Sequence, residues 1–230
     1  MLAFTLVLMT YNLNYANPSP DVTIAAIAHA DPDVVLLQEV TPAWRDALTK
    51  ALAARYPHRA FHTGRAGGIA VLSKLPIADE QLLPAPTPDA WFPAQRVVLT
   101  TASGPLQILN VHLRPAYDGG WVRGYLTTPP LREAEIKALW AKLPATVPTL
   151  VAGDFNEEPS GLAVGFLAKQ GLARVPTTGP RTWQSDREGT RWLQLDIDHV
   201  MIDGRLRATD GKVLDAGTSD HRPVVVTLGA

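Results

Sequence analysis

The sequence predicts an α/β protein with two sheets inside and helices outside, and three observations carry that expectation. Apolar runs rich in β-branched residues recur eight times along the chain. Four segments between them carry helical patterning, three of them with Pro at the start. Helices alternate with strands early in the chain, whereas mid-chain strands follow one another directly. The 230 residues are read as one domain, 1–230, long enough to bury about 70% of their extended surface.

The first run, "FTLVLMTY" (4–11), reads as a buried strand. It lacks a basic leading region and a small-residue cleavage site, and it is too short to span a bilayer. A cytoplasmic protein is expected. "SPDVTIAAIAHA" (19–30) opens a helix with a Ser N-cap and Pro in first position, and "TPAWRDALTKALAARY" (41–56) repeats the device with Thr-Pro. Between them "DVVLLQE" (33–39) is continuously apolar, as a strand covered on both faces should be. "GGIAVLS" (67–73), "RVVLTTA" (96–102) and "LQILNVHL" (106–113) are strands in succession. "PPLREAEIKALWAKL" (129–143) is a helix with Leu131, Ile136, Leu139 and Leu143 along one stripe. "PTLVAGD" (148–154) is a strand, "SGLAVGFLAKQG" (160–171) a helix ended by Gly, and "DHVMI" (198–202) and "RPVVVTL" (222–228) close the set. Two segments, 83–95 and 114–130, are rich in Pro, Gly and aromatics and read as long loops.

Charge and composition exclude some classes. A net charge of −1 gives no global positive field for a polyanion. Residues 1–44 hold Asp21, Asp31, Asp33 and Glu39 and no base, which leaves 21 bases against 18 acids in the remainder. Cysteine is absent, so disulfides, thiolate metal sites and a Cys nucleophile are excluded.

Several strands finish in polar residues of a chemically useful kind. Asn12 and Asn14 follow the first, Gln38-Glu39 the second, and Asn110 and His112 lie in "NVHL". Asp154 and Asn156 stand two apart, Asp196 and Asp198 introduce a strand, and Asp220-His221 precedes the last one. Each alone has a structural explanation as a solvated strand end or a turn. Together, hard carboxylates and carboxamides with two His and no thiolate describe a site for Mg²⁺, with Mn²⁺ as a substitute.

"TYNLN", "LLQEV", "NVHL", "GDFN", "DHVMI" and "SDH" occur in the order found in the endonuclease/exonuclease/phosphatase superfamily, which the chain resembles from residue 10 to 221. That group includes deoxyribonuclease I, exonuclease III-type endonucleases, sphingomyelinases and 5-phosphatases. The resemblance implies a four-layer α/β/β/α sandwich, two mixed or antiparallel sheets face to face, and Mg²⁺-dependent hydrolysis of phosphate esters at the sheets' rim. It implies Glu39 as the principal metal ligand with Asn12 beside it and Asp220 as a second carboxylate near the metal. Asp154 would position or deprotonate the attacking water and Asn156 would steady the phosphate. Asp198 and His221 would form an acid–imidazole pair, with Asp198 preferred to Asp196, and His112 would be a second histidine donating to the phosphate. Asn14 and Arg96 would contact substrate.

The substrate class rests on the loops. Arg114, Trp121, Arg123 and Tyr125, with Tyr117, interleave cations with aromatics, a composition suited to phosphate contact and base stacking. The same residues suit a lipid headgroup at an interface, or simply pack over the sheet. Trp91 and Phe92 admit the same readings. The expected function is a Mg²⁺-dependent phosphodiesterase acting on DNA rather than RNA, as a monomer without a stable protein partner. The alternative is a phosphodiesterase or phosphatase for a lipid headgroup or small phosphorylated molecule. A catalytically silent binding protein is disfavoured by the intact motif set. Asn17 is assigned to turn chemistry, Tyr11 to the core, and His29, His58 and His62 to the surface or loops.

Overall fold

Alternation along the central strands decides the layering. In β1 (Thr5–Asn12), Leu6 and Leu8 face one core while Met9 and Tyr11 face another. In β8 (Thr149–Asp154), Leu150 and Ala152 join Leu6 and Leu8, and Val151 turns outward. Period-two side chains buried on both faces require cover on both sides of each sheet. The computed structural model, which describes residues 5–185 and 193–229, supplies it as helix, sheet, sheet, helix. The first four residues of the apolar start lie outside the described residues.

One sheet runs β13-β14-β1-β2-β4-β3, with β2 Val34–Gln38, β3 His58–His62, β4 Ile69–Ser73, β13 Arg207–Val213 and β14 Val224–Gly229. The other runs β5-β6-β7-β8-β12-β9, with β5 Ile77–Leu83, β6 Ala94–Thr101, β7 Gly104–His112, β9 Leu172–Arg174 and β12 Asp198–Asp203. A two-residue pair, β10 (Trp183–Gln184) with β11 (Gln194–Leu195), stands apart. Each sheet holds one parallel pair, β1 with β2 and β7 with β8, flanked by antiparallel partners. A parallel pair needs a crossover. Helix α1 (Pro20–Ala30) supplies the first; α3 (Trp121–Thr127) and α4 (Pro129–Trp140) supply the second.

Three cores follow. Leu8, Leu36, Val97, Ile108, Leu150 and Val200 lie between the sheets. Ile24 and Ile27 of α1 and Trp44 and Leu48 of α2 (Pro42–Leu52) cover one outer face. Ile136 and Leu139 of α4 and Ala163 and Leu167 of α5 (Leu162–Lys169) cover the other. All eight expected strands are present. Segment 121–127, expected as loop, is helical, whereas 84–93 is irregular as expected. Thr41 caps α2 by accepting from the Trp44 N–H at 3.2 Å. Ser19, expected to cap α1, makes no such bond; Asn17 instead folds the turn, accepting from the Ser19 N–H at 3.0 Å. Tyr11 is buried in the core as expected. His29 ends α1, while His58 and His62 lie on the edge strand β3, where His62 meets Glu80 at 2.7 Å.

Gly153 fixes the spacing of β7 and β8 just before Asp154. Its φ is +142°, and a Cβ there would lie 1.9 Å from the Val111 carbonyl oxygen. Gly153→Ala is expected to cost about 3 kcal/mol or more, read as a lowered denaturation midpoint.

Candidate active site

The inter-sheet core is apolar along most of its length and turns polar at one end. The same alternation that puts Leu6 and Leu8 between the sheets puts Asn12 there. It does likewise for Gln38 after Val34 and Leu36, Asn110 and His112 after Ile108, Asp154 after Ala152, and Asp198 before Val200. Parallel β1–β2 and β7–β8 end at this rim, so their carboxyl ends meet across the gap. Below the rim the Gln38 amide donates to Asn110 Oδ1 at 2.7 Å and the Asn110 amide to the carbonyls of Leu37 and Ala70, tying the sheets together.

Asp154 Oδ2 is the hub, and the residue is 1% exposed. It accepts from Asn12 Nδ2 at 3.0 Å and lies 3.5 Å from His112 Nε2 and 3.6 Å from His221 Nε2. Its Oδ1 accepts from the Asn156 N–H at 2.8 Å. His221 Nδ1 is 2.9 Å from Asp198 Oδ2. Asp198 is oriented in turn by Thr182, whose hydroxyl accepts from the Ile197 and Asp198 N–H groups. Burial pulls the His221 pKa down, but the carboxylates of Asp198 and Asp154 outweigh it and hold it well above the ordinary value. His221 is therefore an imidazolium at neutral pH. Burial pushes the Asp154 carboxyl up, and the His221 cation opposes that rise.

His112 behaves differently from expectation. A carbonyl can only accept, so its Nδ1 donates to Ala66 O at 3.0 Å. Burial and the His221 cation drive its pKa down to about 3. The ring is neutral, and Nε2 can accept a proton but not donate one. Phe92 stacks on it with centroids 4.2 Å apart.

Glu39 faces the same gap from the end of β2. Its oxygens accept from Asn12 Nδ2 at 3.2 Å and the Tyr15 N–H at 2.9 Å, and no cationic side chain among the described residues pairs with it. Burial raises its pKa. A half-buried carboxylate without a direct ion-pair partner among the described residues, beside Asp154, is an oxygen-rich site for a hard divalent cation. Asp154, Asp198 and His221 also cluster closely enough to hold an ion. With His221 protonated and clamped by Asp198, that trio reads better as an ion-pair network, and Glu39 as the metal-facing carboxylate.

The structure places the remaining expected residues as follows. Asn12 bridges two carboxylates: Nδ2 spans Glu39 and Asp154, and Oδ1 accepts from the Asn14 N–H at 3.0 Å. Asn14 donates to Asp220 Oδ1 at 2.9 Å, and Asp220 Oδ2 accepts from Trp183 Nε1 at 3.0 Å, so both brace the rim. Asn156 anchors the "GDFN" turn by donating to Leu113 O at 2.9 Å. Arg96 is not at the site: it faces outward from β6, bonded to Gln107 at 2.7 Å and Asp79 at 2.5 Å. The alternation with inward Val97 and Leu99 forces that direction. Asp196 pairs with Arg181 at 2.6 Å, leaving Asp198 to His221. Arg114 lies over the Trp91 ring at 4.5 Å and donates to Asp89 O. Trp121, Arg123 and Tyr125 sit on α3 beside the crevice, outside its hydrogen-bonded network. Backbone strain marks the same place. Four described non-glycine residues have positive φ, and three are Asn14 (55°), Glu39 (61°) and Asn156 (52°).

Sequence reasoning missed Thr182, Trp183 and the buried ion pair of Arg132 with Glu157 at 3.3 Å. It also missed Glu135, buried on α4, which accepts from the Arg114 N–H at 2.9 Å. Its other oxygen has no partner, and burial raises its pKa to about 7. The folded state keeps this proton over a range where the unfolded chain has lost it, so stability falls as pH rises from the ordinary glutamate value toward 7. Glu135→Gln should therefore be more stable than wild type by about 2 kcal/mol at pH 8 and equal to it at pH 4, as thermal melts at both pH values will read.

Two face-to-face mixed sheets with a carboxylate–imidazole rim between their strand ends define a class: deoxyribonuclease I-like hydrolases of phosphate esters. The chain belongs to the Endonuclease/Exonuclease/phosphatase family, whose sequence model matches residues 9–221. The family is metal-dependent. A functionally unknown conserved protein from Enterococcus faecalis V583 is similar in structure, with a TM-score of 0.79 at 20% identity, covering 97% of this chain and 99% of that one. Sphingomyelinase C from Streptomyces griseocarneus has a TM-score of 0.74 at 21% identity, covering 98% and 99%. The human Nocturnin catalytic domain has 0.72 at 18%, covering 98% and 93%. These likenesses establish the fold. No curated protein matches the chain.

Proposed function

We propose that the protein is a Mg²⁺-dependent phosphodiesterase in which the Asp198–His221 pair and Asp154 act on one phosphodiester. The observation that carries this reading is the His221 ring, bonded to Asp198 at 2.9 Å on one side and facing the buried Asp154 at 3.6 Å on the other. Mg²⁺, held by Glu39 with Asp154 nearby, would supply positive charge to the phosphate and the leaving oxygen. The chain's residues do the rest. His221 holds its proton at Nε2 and donates it as a hydrogen bond to a non-bridging oxygen as charge grows there. Asp198 keeps that proton in place. Asp154 Oδ2 and His112 Nε2 form an acceptor pair that orients the attacking water, and Asp154 takes its proton.

Within this class, DNA was the substrate expected from the sequence. A polyanionic strand needs several free cations at the rim. Arg96 is buried elsewhere and Arg114 is engaged by the loop of Asp89 and Trp91, which leaves Arg123, largely exposed though 3.1 Å from Asp118, and Arg65, over the Tyr15 ring at 5.2 Å. Against these two cations, α3 exposes the apolar and aromatic side chains of Trp121, Val122, Tyr125 and Leu126, which favours the second reading, a phosphodiester in a lipid headgroup. Turnover with Mg²⁺, and again with EDTA, of duplex DNA, single-stranded DNA, an abasic-site duplex, sphingomyelin and bis(p-nitrophenyl) phosphate tests both. EDTA-sensitive hydrolysis of sphingomyelin with inert DNA supports the lipid reading. Cleavage of DNA alone restores the first.

A further inference from the structure

We propose that the exposed face of α3 docks the protein onto the surface of a lipid bilayer, with the crevice beside it. This deepens the lipid-headgroup reading and rests on it for the substrate, but the docking has its own readout. Four consecutive-turn positions of α3 present apolar side chains to solvent: Trp121 is 52% exposed, Val122 80%, Tyr125 54% and Leu126 74%. Buried residues elsewhere on α3 are few: Gly124 alone is buried, because a Cβ there would meet the Ala116 carbonyl at 2.5 Å. The helix is therefore seated by its backbone on Ala116 and Tyr117, with Val122 and Leu126 its most exposed apolar side chains.

The placement is tied to the crevice. The connection leaves β7 directly after His112, and Arg114, two residues on, stacks on Trp91. Trp91 packs edge-on against Phe92, which stacks on His112, so stacked rings join the reacting end of the sheet to Arg114, at the start of the segment that leads into α3. Tyr117 packs on Trp121 with centroids 5.6 Å apart and extends the surface.

The chemistry of the face selects its occupant. The two aliphatic side chains are the most exposed, and Trp, Tyr and an outward Arg123 flank them, the order in which side chains enter the acyl region and its headgroup boundary. Four such side chains expose on the order of 500 Å², below the roughly 800 Å² per partner of a stable dimer. A nucleic-acid strand would stack on the aromatics but leave Val122 and Leu126 in contact with its phosphates.

The test is flotation of the full chain with phosphatidylcholine vesicles, with and without phosphatidylglycerol, in low salt and in 0.5 M NaCl. The paired substitution Val122→Ser and Leu126→Ser touches neither crevice nor core. Wild type should float with the vesicles in both salts, and the variant should bind at least tenfold more weakly. Both should hydrolyse bis(p-nitrophenyl) phosphate equally, which separates failure of docking from failure of the phosphodiesterase reading. Equal flotation of the two proteins, no flotation of either, or salt-sensitive binding of single-stranded DNA lost in the variant would each overturn the proposal. So would a concentration-dependent dimer that the variant abolishes.

Discussion

His221→Ala will lower kcat/KM for a phosphodiester by about 10²–10³-fold. The ring carries the one protonated donor whose charge is maintained on both sides, by Asp198 at 2.9 Å and Asp154 at 3.6 Å. Because the pKa is raised, the imidazolium persists through neutral pH, and His221 sets the basic limb, activity falling as pH rises through that raised value. Asp198→Asn keeps a partner for Nδ1 but removes the charge that raises the pKa. It should cost about 10²-fold and move the basic limb of the pH–rate profile downward. A residue with only a packing role would lower activity without moving that limb. Near-wild-type turnover in His221→Ala would remove the pair from the mechanism.

Glu39→Ala will cost about 10³-fold at sub-millimolar Mg²⁺ and raise the half-saturating Mg²⁺ concentration by at least about tenfold. The reason is the carboxylate at the end of β2, which has no direct ion-pair partner among the described residues, whose burial raises its pKa and which a bound cation would stabilise. A second readout needs no turnover. Binding to the folded state alone stabilises it, by about 2.7 kcal/mol at a hundredfold excess over Kd. Mg²⁺ should therefore raise the wild-type Tm and leave that of Glu39→Ala nearly unchanged. An equal rise in both would move the metal away from Glu39.

The central strands and the rim were legible because both faces of each sheet are covered. "DVVLLQE" and "PTLVAGD" have continuously apolar centres, Val34–Leu37 and Leu150–Ala152, and the polar residue of inward parity that follows marks the crevice. The unforeseen strands of the two six-stranded sheets are their edges: "HRAFH", "IADEQLL", "LAR" and "RATDGKV". An edge strand pairs on one side only and carries charge on its open face, so its sequence reads like a loop. Helix α3 lacks an inward stripe, since it packs through Gly124. Arg96 was readable in principle, because Val97 and Leu99 point inward and parity turns it outward. What no sequence pattern gives is how donors are spent. Asn12 commits its amide to two carboxylates, and His112 its only proton to a backbone carbonyl, through contacts distant along the chain.

The measurement closest to the central claim is hydrolysis of bis(p-nitrophenyl) phosphate by wild type and His221→Ala, with Mg²⁺ and with EDTA. The expected result is turnover by wild type that EDTA abolishes and excess Mg²⁺ restores, with the variant down by about 10² or more. Turnover that survives EDTA, or that His221→Ala retains in full, would contradict a metal-dependent phosphodiesterase centred on the Asp198–His221–Asp154 rim.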